Sequence, residues 1–238
     1  MPVFKATGVI LRRVDLGEGD RRLIALTREG GKIAIFARGA RNAGSKFAAA
    51  QPFALAEFML YDGGGFFSLN QIAPIMTLPK IADDYDRYCC ACLFLEIADG
   101  LILPEMDGRA ALEILLRSLR ALDSGRNMAE VFAAFVFKFL QKEGVAPLLR
   151  NCPMCDAAPA PIFAAEGAVC GDCAPGAVGV PIKRATMAAL AYILDADIPK
   201  MLNFRASADV VEGLAKAAKL FLCENTDVKF ASLPLVDV

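Results

Sequence analysis

The spacing of apolar residues changes once along the chain. Up to about residue 80 the apolar positions form short runs separated by turn residues; beyond that point they recur at helical spacing. The segment Thr7 to Val14 is β-branched and extended, and the polar turn Asp15–Asp20 follows it. Arg22 to Thr27 reads as a second strand. Glu29-Gly30-Gly31-Lys32 marks a turn, because glycine accepts positive φ without strain. Lys32 to Arg38 is the third strand and Phe53 to Tyr61 the fourth; Asp62-Gly63-Gly64-Gly65 leads into a fifth, Phe66 to Ile75. Five short strands within about 75 residues fit a small closed or nearly closed barrel. A five-stranded Greek-key barrel of the OB type satisfies the pattern, and so does an SH3-like barrel.

From Asp83 the period becomes helical. Tyr85, Cys89, Cys92, Leu93 and Ile97 fall on helical positions within Asp83–Leu103. A second helix is predicted over Asp107–Leu122 and a third over Met128–Lys142, closed by Gly144 and Pro147. Phe132, Phe135 and Phe139 share one face of the third helix and read as core rather than as a partner groove. Two more helices are expected near 183–195 and 207–224. The expected fold class is α+β, with a barrel domain over 1–80 and a helical domain over 81–238. A segment rich in Gly, Ala and Pro, 150–180, is inserted in the helical part.

Composition sharpens this picture in three ways. The net charge of -1 conceals an asymmetry: residues 1–80 carry a net +5 and residues 81–238 a net -6. A basic front half points to a polyanionic partner. The start of the chain lacks the shape of a signal peptide, and Glu96, Asp99, Glu130 and Lys138 interrupt the longest apolar stretches before a bilayer-spanning run of about 20 residues is reached. A soluble, cytoplasmic protein with no membrane partner is therefore expected. Histidine is absent altogether, which removes Ser-His and Cys-His catalytic pairs and every metal site that needs an imidazole.

The eight cysteines divide into two groups. Cys89, Cys90 and Cys92 lie in an apolar helix and Cys223 near a helix end, where a thiol packs as a small hydrophobe. Cys152-Pro153-Met154-Cys155 and Cys170-Gly171-Asp172-Cys173 form two Cys-x-x-Cys pairs at ribbon-like spacing. Four thiolates satisfy a tetrahedral zinc ion completely and leave no position for water, so one structural zinc is expected at Cys152, Cys155, Cys170 and Cys173. Gly171 is expected to ease the second turn. The segment holds few large apolar residues, so the ion is expected to supply its local folding energy. A redox motif would call for a βαβ pattern, which this region lacks.

The stretch Phe36-Ala37-Arg38-Gly39-Ala40-Arg41-Asn42-Ala43-Gly44-Ser45-Lys46-Phe47 places three cations among small residues after a strand. Small neighbours allow a phosphate to approach and the cations to neutralise it; a solvated loop fits the same composition. Gly8-Val9-Ile10-Leu11-Arg12, Gly17-Glu18-Gly19-Asp20-Arg21, Leu26-Thr27, Gly31-Lys32, Ala37-Arg38-Gly39-Ala40-Arg41, Ser45-Lys46-Phe47 and Gln51-Pro52-Phe53 together resemble the N-terminal domain of the bacterial RecO family of DNA repair proteins. The resemblance implies an OB-fold, a helical domain and a four-cysteine zinc segment, in that order. It also implies a non-enzymatic recombination mediator that binds single- and double-stranded DNA, anneals complementary strands, and works with RecR to load RecA. The C-terminal tail of single-strand binding protein is the further partner it implies.

Carried onto this sequence, the matching motifs nominate Arg12, Arg21, Arg38, Arg41 and Lys46 as DNA contacts. Arg12 and Arg13 are strand neighbours that point to opposite faces, so only one can serve a given groove. Asp20 and Arg21 offer a local ion pair as an alternative role for Arg21. Phe36, Phe47, Phe58, Phe66 and Phe67 are available for stacking, but most are expected in the core. The glycine-rich turn at 62–65 lacks the basic residue that many relatives carry. A zinc-containing adaptor whose barrel binds protein is the competing function.

Overall fold

The computed structural model describes residues 3–42, 52–64, 66–104, 106–160 and 162–238. Its first part is a closed barrel of β1 (Val3–Leu16), β2 (Asp20–Thr27), β3 (Gly31–Ala37), β4 (Leu55–Asp62) and β5 (Phe67–Met76). β1 is 14 residues long and serves two partners. Its first half pairs with β4, from Val3↔Tyr61 to Val9↔Leu55, and its second half with β2, from Gly8↔Thr27 to Leu16↔Asp20. At Gly8 the strands approach so closely that an added Cβ would lie 2.1 Å from the Leu26 carbonyl oxygen, so only glycine fits.

The strand order β1-β2-β3-β5-β4 decides between the two barrel types. A simple meander would pair β3 with β4. Here β3 pairs with β5 and β4 returns to β1, which is the connection of the OB barrel. The β3–β5 seam is short and parallel, only Ile35↔Phe67 and Phe36↔Ser68. The interior is filled by alternate positions, among them Ile10, Leu23, Ala25, Ile35, Phe58 and Leu60. β4 begins two residues later than its apolar run suggests, because Phe53 turns the chain at φ 63° and sets its ring edge-on to Tyr88.

The described chain falls into two compact units, 1–123 with 230–236, and 124–229 with the last two residues. The first unit adds α1 (Pro79–Ala82), α2 (Tyr85–Leu101) and α3 (Arg109–Asp123) to the barrel. Asp84 caps α2 by accepting the Arg87 amide at 3.1 Å. Cys89, Cys90, Leu93, Phe94 and Ile97 are buried around more than one side of α2. The chain end lies against it: the Ser232 amide and hydroxyl donate to the Glu96 carboxylate at 3.0 and 2.7 Å. Of the four cysteines assigned to packing, Cys89 and Cys90 are buried, Cys92 is half-buried, and Cys223 is exposed on the last turn of its helix.

The second unit contains α4 (Met128–Lys142), a three-stranded sheet of β6 (Ile162–Ala164), β7 (Gly167–Val169) and β8 (Gly179–Pro181), then α5 (Arg184–Asp195) and α6 (Ala208–Glu224). Val131 through Leu140 of α4 are all buried, and Phe132, Phe135 and Phe139 belong to the core. Lys138 is the charged member of this run. Its Nζ donates to Gln141 Oε1 at 3.0 Å and to the Leu194 carbonyl at 2.8 Å, the last turn of α5. Burial lowers the Lys138 pKa, while Asp195 and Asp197 oppose the shift. Among the described residues no helix is long and apolar enough to cross a membrane.

Candidate metal centre and nucleic-acid interface

Cys152, Cys155, Cys170 and Cys173 come together, with all four Sγ atoms within 4.8 Å of one another and Cys155 Sγ 3.5 Å from Cys170 Sγ. Four sulfurs at 2.3 Å from a tetrahedral ion stand about 3.8 Å apart, so the cluster has the dimensions a metal ion requires. None of the four is in a disulfide. Two turns present the thiols. In the first, the Asp156 amide donates to the Cys152 carbonyl and the Cys152 amide to the Ala157 carbonyl, each at 2.9 Å. In the second, the Ala174 amide donates to the Cys170 carbonyl at 3.0 Å.

The residue that takes the left-handed conformation in these turns is Asp156, at φ 61°, and its carboxylate is held by the Asn151 amide at 2.6 Å. Gly171, expected to ease the second turn, has an ordinary φ, and an added Cβ would meet nothing within 4 Å. The glycine this segment needs is Gly167, at φ 135°, where a Cβ would lie 2.0 Å from the Leu148 carbonyl oxygen.

The electrostatics of the thiols favour a cation. Amide N–H groups, first that of Cys170 and then those of Met154 and Cys155, pull the Cys152 thiol down to about 6. Hydrogen bonds with the neighbouring sulfurs of Cys155 and Cys170 push the Cys173 thiol up to about 12. Beside its neighbours Cys173 therefore gives up its proton at ordinary pH only if positive charge sits among the sulfurs. The donor set is soft and uniform, and it fits a closed structural site. Little apolar mass stands behind it: Cys152 and Cys170 pack with Ala164 and Val169. Phe163 instead joins Phe137 and Phe221 at ring-centroid distances of 5.8 and 6.1 Å, fastening the small sheet to α4 and α6.

The barrel carries the predicted cations, and it holds them differently. Arg38 is exposed, lies over the Phe36 ring at 5.8 Å, and forms no ion pair among the described residues. Arg12 donates to Asp99 on α2 at 2.7 Å. Arg21 and Arg41 share one carboxylate, Asp15, at 2.8 and 3.4 Å, and Arg41 also donates to the Gly17 carbonyl at 2.7 Å. The hydrogen bond from Arg21, ahead of the charge of Arg41, holds the Asp15 carboxyl below its usual range. Asp20 is not the partner of Arg21: the two are strand neighbours that point apart, whereas Asp15 and Arg21 are register partners across β1 and β2. Asp20 accepts the Gly39 amide instead, at 2.8 Å. Lys46 lies outside the described residues.

The family model described as recombination protein O N terminal matches residues 1–78, and that described as recombination protein O C terminal matches 82–234. The chain belongs to the RecO family. It is 35% identical to the DNA repair protein RecO of Anaeromyxobacter sp. (strain K), over 82% of this chain and 80% of that one. It is 31% identical to the DNA repair protein RecO of Anaeromyxobacter dehalogenans (strain 2CP-C), over 100% of this chain and 97% of that one. The protein of the same name from Acetivibrio thermocellus is 25% identical over 99% of this chain.

Within this RecO-family barrel the structure adds residues that sequence reasoning does not single out. Alternation along β3 turns Ala34, Phe36 and Arg38 outward, and Arg22, the cross-strand partner of Phe36, is exposed on the same face. A groove of about 620 Å³ opens there, lined by Arg22, Lys32, Phe36, Arg38, Phe66 and Pro104 among others. Lys32 is held by Asp99, donating to its carbonyl at 2.6 Å. Arg22 escapes a motif-based reading because it lies in a strand, outside the loop that contains Arg38. Strand register is the signal that places the two on one face.

Proposed function

We propose that this protein is a DNA-binding recombination mediator, without enzymatic activity, that acts in the cytoplasm. It binds single- and double-stranded DNA and anneals complementary strands. With RecR it helps load RecA onto single strands coated by single-strand binding protein, whose C-terminal tail the helical part receives. Residues 1–80 carry the DNA-binding barrel and 81–238 the helical domain, with one zinc ion at Cys152, Cys155, Cys170 and Cys173 bracing the segment 150–180. A closed set of four thiolates leaves no position for substrate or water, in keeping with a structural ion.

The observation that carries the DNA reading is the outward face of the barrel, where Arg22 and Arg38 stand exposed beside the loop 38–42. Arg38 is the principal phosphate contact, and Arg12, Arg21, Arg41 and Lys46 are secondary ones. The test is the affinity for a single-stranded oligonucleotide over a series of salt concentrations. Each phosphate neutralised contributes roughly -0.7 to the slope of log K against log salt. Arg38→Ala is expected to reduce the slope by about 0.7 and Arg41→Ala, already tied to Asp15 and Gly17, by less. An unchanged slope and affinity in both variants would favour the barrel as a protein-binding adaptor.

A further inference from the structure

Two adjacent phenylalanines have opposite fates at the start of β5. Phe67 stacks on Phe4 with ring centroids 5.3 Å apart and packs against the barrel core. Phe66 is 54% exposed at the mouth of the groove beside β3. Its carbonyl accepts the Gly63 amide at 3.0 Å. Gly63 also makes room for the ring, since a Cβ there would lie 2.7 Å from it. The groove exists because the β3–β5 seam ends at Ile35↔Phe67, so Lys32, Ile33 and Ala34 have no partner on β5.

We infer that this groove is a base-stacking subsite, in which Phe66 takes the face of an unpaired nucleobase while Arg22 and Arg38 hold the flanking phosphates. The inference rests on the DNA-binding reading and adds to it a site that distinguishes single strands from duplex. The lining combines two exposed guanidinium groups with aromatic faces at Phe36 and Phe66, and no acidic side chain is among it. That combination matches a nucleotide, which is flat and apolar in its base and anionic in its phosphate. A basic or purely apolar partner would leave the arginines unpaired. Bases inside a duplex expose no face, so the subsite selects single strands.

The test uses a thymidine oligomer, an abasic strand of equal length, and a blunt duplex. Phe66→Ala is expected to weaken thymidine-oligomer binding by about 5- to 100-fold, the effect of losing one base–aromatic stack, and to leave the other two ligands within about twofold. The chain contains no tryptophan, so Phe66→Trp gives a single-site reporter. That variant should keep its affinity, with emission quenched by the thymidine oligomer and unaffected by the abasic strand. Equal loss on the thymidine and abasic strands, or unchanged affinity in Phe66→Ala with unquenched Phe66→Trp, overturns stacking while DNA binding stands. Failure of the wild type to bind any of the three ligands removes the DNA reading itself, and the subsite with it.

Discussion

The barrel and the cysteine segment are both small β structures, and they hold their chains in place by different means. The barrel packs Ile10, Leu23, Ile35, Phe58, Leu60 and their neighbours into one interior. Around the cysteine cluster the corresponding group is Ala164 and Val169 with two of the cysteines themselves. In the barrel, stability is spread over many apolar side chains, so a single loss is felt in proportion to the volume removed. In the cysteine segment, on the proposed reading, the stabilisation would be concentrated in four sulfur–metal bonds. The loss of any one of them removes most of what orders the turns.

The sharpest way to break this contrast is Cys152→Ser. It is expected to abolish stoichiometric metal binding, read by elemental analysis, and to make residues 150–181 sensitive to protease, while amide exchange protection of the barrel is kept. Structural zinc contributes on the order of 10–16 kcal/mol in small zinc-dependent folds, so this is the largest effect. Loss of barrel protection in the same variant would mean that the two regions do not fold separately. Phe58→Ala comes next: denaturant unfolding should show a loss of about 3–5 kcal/mol with the metal content unchanged. Metal loss in Phe58→Ala would erase the distinction.

The smallest effect sharpens the contrast inside the barrel, between engaged and exposed cations. Asp15→Asn removes the carboxylate that Arg21 and Arg41 share. The Asp15 carboxyl titrates below its usual range, so it is charged at neutral pH and its ion pairs weaken only as pH falls through that lowered value. The amide should free Arg21 and loosen Arg41, which keeps the Gly17 carbonyl, and steepen the salt dependence of DNA binding by up to about 0.7 for each additional phosphate neutralised. A flatter dependence would show that Asp15 positions the two arginines for DNA instead of withholding them.

The strand and helix content is readable from the sequence because period-2 and period-3.6 patterns are local properties of the chain. The four cysteines are readable for the same reason: pair spacing and ligand type are both sequence facts. Barrel type is not readable from strand count, which two barrels share; the family resemblance implies the OB form, and the β3–β5 and β4–β1 pairings show it. The roles of the cations are not readable either. Arg12 and Arg38 look equivalent in the motif, yet one meets Asp99, 87 residues away, and the other faces solvent. Gly171 and Asp156 show the limit at the scale of a single turn. The glycine looks suited to easing the second turn and has no such part in it; the aspartate, a residue less suited to positive φ, takes that conformation in the first turn, where Asn151 holds its side chain.

The hydrogen bonds from Ser232 to Glu96 have a consequence for the order of events during synthesis. Residues 230–236 belong to the same compact unit as the barrel and α2, although 106 residues of the second unit separate them from Asp123 along the chain. Residues 124–229 leave the ribosome before the first unit has received its last segment. Until residue 232 emerges, the Glu96 carboxylate on α2 lacks these two donors. The part of the molecule begun first is therefore completed only after nearly all of the second has been made, and a nascent chain that lacked residues 230–236 would expose an unfinished α2 surface to chaperones and proteases.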